Sequence, residues 1–225
     1  MNTIHEALTR VSGAIQTAAE RAGRSSQDIT LIAASKRVAP EQVEAAIAWG
    51  VHNFGENRVQ EGRAKFLETG LAQKIDGLHL IGPLQRNKVN KAVGVFDVIH
   101  SVDTLPLAEK INQEAERQSI RQSILVEVNI GGETSKHGVS VQETPALVKK
   151  VQALPNLALL GLMTLPPRSN DPEAARPYFS ALRRLGNDLG LMRFSMGMSS
   201  DFEIAIEEGA TWVRIGTAIF GRRIN

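Results

Sequence analysis

ITLIAASK, residues 29–36, decides how the rest of the chain is read. Apolar and small residues run without a break, and a lysine stands where they stop. An uninterrupted apolar run bounded by polar residues reads as a strand buried on both faces, as in a parallel sheet covered by helices. Lys36 then falls at the strand's C-terminal end, where α/β folds gather their chemistry. Two local readings stand side by side: a lysine snorkelling from a strand end into solvent, or an amine set at a site.

Before this strand, residues 3–22 carry Ile4, Leu8, Val11, Ile15 and Ala18 or Ala19 at helical spacing, and Gly23 stops them. After it, Pro40 opens a helix that Gly50 ends. VHNFGEN follows, then a helix near 57–70 closed by Gly70. HLIG at 79–82 is a short strand, and LQRNKVNKAV a helix. DVIHSV at 97–102 is a strand, with Asp103 expected to cap a helix to about 118. SILVEVNI at 123–130 is the longest apolar strand; a polar loop and a helix near 141–153 come next. LALLGLMTL at 157–165 is another strand, followed by the loop PPRSNDP and a helix over 172–189. MRFSMGM, a helix at 200–208, TWVRIG and a turn AIFGRR complete the reading.

Strand and helix alternate throughout, as right-handed βαβ units require. Strands starting near 29, 52, 79, 97, 123, 158, 193 and 211 make eight, preceded by one extra helix. The expected fold is therefore α/β, a single (β/α)8 TIM-type barrel over residues 1–225 with an added N-terminal helix. An open doubly wound sheet is the runner-up, because periodicity does not show closure.

The totals exclude several function classes. A 42% hydrophobic and 22% charged composition in 225 residues suits a globular chain with a sizeable core. A formal net charge of +2 gives no reason to expect nucleic acid or an anionic membrane as partner. Zero cysteines exclude disulfides, thiolate metal sites and a cysteine nucleophile, and no metal site is expected. The N-terminus carries Glu6 and Glu20 and does not read as a secretory signal. No apolar run approaches the roughly 18 residues of a membrane span. A cytoplasmic location is the expectation.

MGMSSDFEIAIEEGATWVRIGTAIFG, residues 196–221, is the second informative stretch. Ser200 followed three residues later by Glu203 has the pattern of a capping box. A helix start with free amides and serine hydroxyls also suits an anion, and barrels often seat a phosphate after strands seven and eight. Here those loops hold Ser199 and Ser200, then Gly216 and Thr217. Both readings stand, since one helix end can be capped and bind a phosphate.

Arg214 lies in an otherwise apolar strand and must be paired or face the barrel mouth. A salt bridge to Glu203 or Glu207 is one reading; a fixed donor to a ring nitrogen or an anion is the other. Lys36, a phosphate cradle and Arg214 together describe a carbonyl-capturing lysine with a phosphate anchor. Phosphosugar aldolases use such a set, and so does pyridoxal phosphate (PLP); the arginine favours the cofactor.

AASK at 33–36, NFGENRVQE at 53–61, HLIGPLQRNK at 79–88, GLMTL at 161–165 and residues 195–221 carry a resemblance that spans the whole chain. In these stretches the sequence resembles the pyridoxal phosphate homeostasis protein family, small PLP-binding barrels like the N-terminal domain of alanine racemase. Leu78 and Leu80 stand where that family commonly has aromatic residues, a departure that touches packing near His79.

The resemblance implies that Lys36 holds pyridoxal 5'-phosphate covalently as a Schiff base, the internal aldimine. It implies that Ser199, Ser200, Gly216 and Thr217 hold the phosphate, that Arg214 faces the pyridine nitrogen, and that Asn57 and Met163 line the ring. His79 reads as a satisfied core histidine, and Met196 and Met198 as core or pocket wall. Arginine donates but does not keep the pyridine protonated, which leaves a weak electron sink. The opposite-face tyrosine of the racemases belongs to a second domain that is not expected here, and Tyr178 falls on a helix. The expected function is therefore a non-catalytic carrier or regulator in vitamin B6 and amino-acid homeostasis. It would be a monomer serving PLP-dependent apoenzymes or a regulatory protein, with no catalytic residue assigned. A racemase-like enzyme on a small amino acid and a phosphosugar lyase are the alternatives.

Overall fold

The computed structural model describes residues 3–134 and 136–221. Its centre is a closed barrel of eight parallel strands: β1 (Thr30–Ala34), β2 (Asn53–Glu56), β3 (Gly77–Leu80), β4 (Val98–Val102), β5 (Gln122–Asn129), β7 (Leu157–Met163), β8 (Arg193–Ser195) and β9 (Trp212–Ile215). A two-residue strand, β6 (Val139–Ser140), pairs only with the end of β5. Pairing of β4 with β5, through Val98↔Ser123 and Ile99↔Ile124, joins the two halves, and β1 with β9 closes the ring. That closure excludes the open doubly wound sheet and bears out the TIM-type barrel.

Alternation along each strand separates an inner from an outer face. Ile32, Val98, Leu125, Met163 and Trp212 form an apolar cluster of their own, apart from the main core. Their neighbours Ala33, Ile99, Val126, Leu162 and Val213 belong to the large core shared with the helices. Gly161 on β7 is required by a close approach. A Cβ there would stand 1.8 Å from Arg193 O on β8, where no side chain can yield.

The helical layer is α1 (Ile4–Arg21), α2 (Pro40–Trp49), α3 (Val59–Gly62), α4 (Val89–Ala92), α5 (Leu105–Arg117), α6 (Thr144–Gln152), α7 (Arg176–Asp188), α8 (Phe202–Glu207) and α9 (Thr217–Phe220). α1 is the extra N-terminal helix. Its start is a reciprocal box, with Glu6 N–H donating to Thr3 Oγ1 at 3.2 Å and Thr3 N–H to Glu6 Oε2 at 3.1 Å. Its buried stripe of Ala7, Leu8, Val11, Ile15, Ala18 and Ala19 lies against α2, α8 and α9.

Three expected helices differ from the reading. The helix near 57–70 is one short α-helical turn followed by a π-helix, Arg63–Leu67, which turns Lys65 and Phe66 inward. LQRNKVNKAV gives a 3-10 turn, Arg86–Lys88, and the brief α4. Thr104, not Asp103, occupies the N-cap of α5; Asp103 Oδ2 instead accepts from Gly138 N–H at 3.4 Å. No described helix is long and apolar enough to cross a membrane.

Candidate functional site

The C-terminal ends of the strands surround a cavity of about 350 Å³. Lys36, Asn57, Glu127, Arg168, Met198 and Arg214 are among its lining residues. The sequence therefore brings the first strand's lysine and the last strand's arginine to one space.

Lys36 is half-buried on a loop whose two flanks are clamped. Ser35 Oγ donates to Glu56 Oε1 at 2.8 Å, and Lys65 Nζ donates to Ser35 O at 2.5 Å. On the other side, Arg37 N–H donates to Glu61 Oε1, with Arg37 in the left-handed region at φ 58°. A non-glycine residue there costs energy and is retained only where its surroundings over-determine it. The cluster continues through Lys65 Nζ to Glu56 Oε1 at 2.7 Å and Glu61 Oε1 at 3.2 Å. Burial pushes the Glu56 carboxyl above its ordinary range, against the pull of Lys65 and Ser35.

Arg214 is 4% exposed. Its Nη1 donates to Ser195 Oγ at 2.5 Å and its Nη2 to Thr164 O at 2.8 Å. The salt bridge to Glu203 or Glu207, one of the two readings of Arg214, is not formed. Arg21 binds both of those carboxylates at 2.9 Å, and Arg176 binds Glu207 at 2.7 Å and Glu208 at 3.0 Å, all on the outer, helical side. Burial lowers the Arg214 pKa to about 10, opposed by the charges of Glu127 and Asp201. The guanidinium is still a cation at neutral pH. Burial also lifts Glu127 to about 7, helped by Asp103 and opposed by Arg214.

Ser199 and Ser200 line a separate cleft with Arg21, Glu203 and Glu207, not the cavity around Lys36. Ser199 Oγ accepts from Ala218 N–H at 3.2 Å, which ties the loop after β8 to the start of α9, where Gly216 and Thr217 lie. Ser200 does not cap α8. Asp201 holds the N-cap position and makes no side-chain cap bond there, because its Oδ1 accepts instead from Met198 N–H at 2.6 Å. Met163 is 1% exposed within the inner apolar cluster and does not line the cavity. His79 is a buried histidine with both ring nitrogens engaged, as read from the sequence. Tyr178 lies on α7, outside the barrel.

Three features were not anticipated. Glu127 is a lone carboxylate in an apolar strand, the same signal that exposed Arg214. Lys65 and Glu56 gave no such signal, since a charge within a polar helix, or at the end of a short strand that runs into a polar loop, reads as solvated. Among the described residues no group of three His, Asp or Glu side chains is placed to hold a metal ion.

Residues 13–223 match the family model described as "Alanine racemase, N-terminal domain", the class of barrel that this fold and lysine define. A "Pyridoxal phosphate homeostasis protein" of Aquifex aeolicus is 47% identical over 226 residues, covering 97% of each chain. The protein of that name from Pseudomonas aeruginosa is 42% identical, covering 99% of this chain and 97% of that one. The solved structure of PipY from Synechococcus elongatus with PLP bound has a TM-score of 0.84 and 32% identity, over 97% of this chain and 100% of that chain. The chain belongs to the pyridoxal phosphate homeostasis protein family.

Proposed function

We propose that the protein binds pyridoxal 5'-phosphate in the cavity between Lys36 and Arg214 and takes part in intracellular PLP homeostasis without turnover of amino acids. The observation that carries this reading is that an amine and a buried guanidinium from the first and last strands face one small cavity. The donor set fits the group: an amine for an aldehyde, a fixed cation for a ring nitrogen, and hydroxyls and amides for a phosphate dianion. When bound, PLP supplies an electrophilic carbonyl carbon and an electron-withdrawing ring.

Lys36 holds the cofactor covalently through Nζ. The clamp on Ser35 and Arg37 orients the loop that presents it. Ser199, Ser200, Gly216 and Thr217 anchor the phosphate, and Asn57 borders the ring, with Met163 in the layer of side chains beneath. Arg214 donates toward the pyridine nitrogen and gives up no proton to it, since its pKa stays near 10. A ring left unprotonated is a weak sink for a carbanion, which favours holding over chemistry. On this reading the chain acts as one domain over residues 1–225, a monomer in the cytoplasm that passes the cofactor to PLP-dependent apoenzymes or a regulatory protein.

Borohydride reduction of the PLP-loaded protein followed by peptide mass mapping is expected to place one pyridoxyl group on Lys36. The Lys36→Ala protein is expected to fold normally and to lose the visible absorbance of the bound cofactor. A pyridoxyl group on another lysine, or unchanged absorbance in Lys36→Ala, would refute the assignment. Exchange of the α-hydrogen of a small amino acid into solvent, lost in Lys36→Ala, would establish the racemase-like alternative instead.

A further inference from the structure

A line of polar side chains crosses the barrel interior below the cavity, one from each of β9, β8, β4, β3 and β2. It starts at Arg214 Nη1, 2.5 Å from Ser195 Oγ. Ser195 Oγ is 3.0 Å from His100 Nδ1, and His100 Nε2 is 2.9 Å from His79 Nδ1. His79 Nε2 then lies 3.2 Å from Asn53 Oδ1. Ser195, His100, His79 and Arg214 are all buried. Asn53 is half-buried and lines a different cavity, of about 330 Å³, at the N-terminal end of the strands. The line thus joins the two ends of the barrel.

Trp212 holds both imidazoles in place. Its ring stacks on His100 with 29° between planes and meets His79 edge-on at 79°, each at a centroid distance of 5.2 Å. Gly77 makes room for the last link. A Cβ there would sit 2.6 Å from Asn53 Oδ1 and 3.0 Å from His79 Nε2.

The two ends of the line, a guanidinium that only donates and the Asn53 carbonyl oxygen that only accepts, fix the direction of its bonds. A guanidinium has donors and no acceptor, so Ser195 Oγ accepts from it and turns its own hydrogen to His100 Nδ1. His100 is then the Nε2–H tautomer and donates to His79 Nδ1. His79 in turn is the Nε2–H tautomer and donates to Asn53 Oδ1. The reverse order would leave His79 Nε2 and Asn53 Oδ1 as two acceptors face to face, and would give the serine hydrogen no acceptor within the line. Protonating His79 would put two N–H groups into its contact with His100, and protonating His100 would turn away the hydroxyl hydrogen that Ser195 donates to it. Burial keeps both rings neutral: it lowers His79 to about 4, and it holds His100 well below its ordinary value, with smaller contributions from His79 and Arg214.

We propose that this line is a one-directional relay that aims Arg214 at the cavity, with Ser195 and His100 as positioning residues and His79 and Asn53 as its anchor at the far mouth. Its bearing on the cofactor's ring rests on the reading given above. Its tautomers do not.

Long-range ¹H–¹⁵N correlation spectra of the histidine rings, recorded on the cofactor-free and PLP-loaded full chain, test the relay. Both His79 and His100 are expected as Nε2–H tautomers in each state. Ser195→Ala is expected to cost His100 its single tautomer and to weaken PLP retention on the order of tenfold, the loss of one charge-assisted bond. Gly77→Ala, which removes no polar atom, is expected to shift the His79 Nε2 signal and the absorbance maximum of bound PLP. An Nδ1–H ring at either histidine in the parent overturns the relay. So does a Ser195→Ala or Gly77→Ala protein whose ring signals and PLP spectrum match the parent's. A parent that shows both tautomers but never takes up PLP supports the relay and sinks the reading of the cavity.

Discussion

Lys65 Nζ lies 2.7 Å from Glu56 Oε1, and the same ammonium donates to the carbonyl of Ser35, the residue before the cavity lysine. Glu56 is fully buried, and its second oxygen, Oε2, has no hydrogen-bond partner among the described residues. The pair fastens a helix to the loop that presents Lys36, at the price of desolvating both charges.

Replacing Lys65 with methionine keeps the volume and removes the cation. Glu56 is then left buried with Ser35 alone, and the loss of stability is expected to be about 3 kcal/mol. Glu56 already holds its proton above the ordinary range, so the cost is in force above that raised pKa and shrinks as the pH falls below it. Chemical denaturation at about pH 5 and pH 8 should show the larger loss at the higher pH. The double variant Lys65→Met with Glu56→Gln should recover part of it. Equal losses at both pH values would separate Glu56 from the effect.

Glu127 titrates near 7 in the folded chain against an ordinary 4.5. Between those values the folded state keeps a proton that the unfolded state has lost, so stability falls as the pH rises through the window. Glu127→Gln removes this slope. Unfolding curves should coincide near about pH 4 and diverge toward pH 8, where the variant is the more stable by on the order of 3 kcal/mol. Parallel curves across the range would show that Glu127 ionises normally.

Gly161→Ala tests the packing that sets the seam between β7 and β8. The added carbon meets backbone atoms of Arg193, with its carbonyl carbon at 2.6 Å, so the strands must part. A loss of at least about 3 kcal/mol is expected, read as a lower melting temperature or loss of folded yield. Because Thr164 follows directly on β7, Ser195 ends β8, and both accept from Arg214, any folded variant should also release PLP faster. A melting temperature equal to the parent's would show that the register tolerates the methyl group.

The barrel was legible because its strands are apolar on both faces and punctuated by glycine and proline. Eight such runs, spaced by helical patterns, leave few other arrangements. Lys36 and Arg214 were legible for the converse reason: each is a charge where the pattern allows none. Ser195 and His100 carry no such mark, since a serine at the end of a short strand and a single histidine within one are ordinary. Only the closed register, which sets β8 near β4 across the interior, makes them neighbours. Ser200 misled because its spacing to Glu203 satisfies the capping pattern while Asp201, one residue later, holds the N-cap position. The π-helical turn at Arg63–Leu67 has no period of its own in the sequence, so the inward turn of Lys65 stayed hidden.

The seam between β1 and β9 runs through Leu31↔Val213 and Ile32↔Arg214, so the strand made first is bonded along one edge by the strand made last. A growing chain therefore displays Lys36 long before Arg214 exists to complete the cavity. Non-local pairing of this kind is slow to form, since the whole intervening chain must first be brought together. The binding site is the final product of assembly: a partly made or truncated barrel would carry the reactive amine with no matching wall, and only the finished ring would retain what the amine captures.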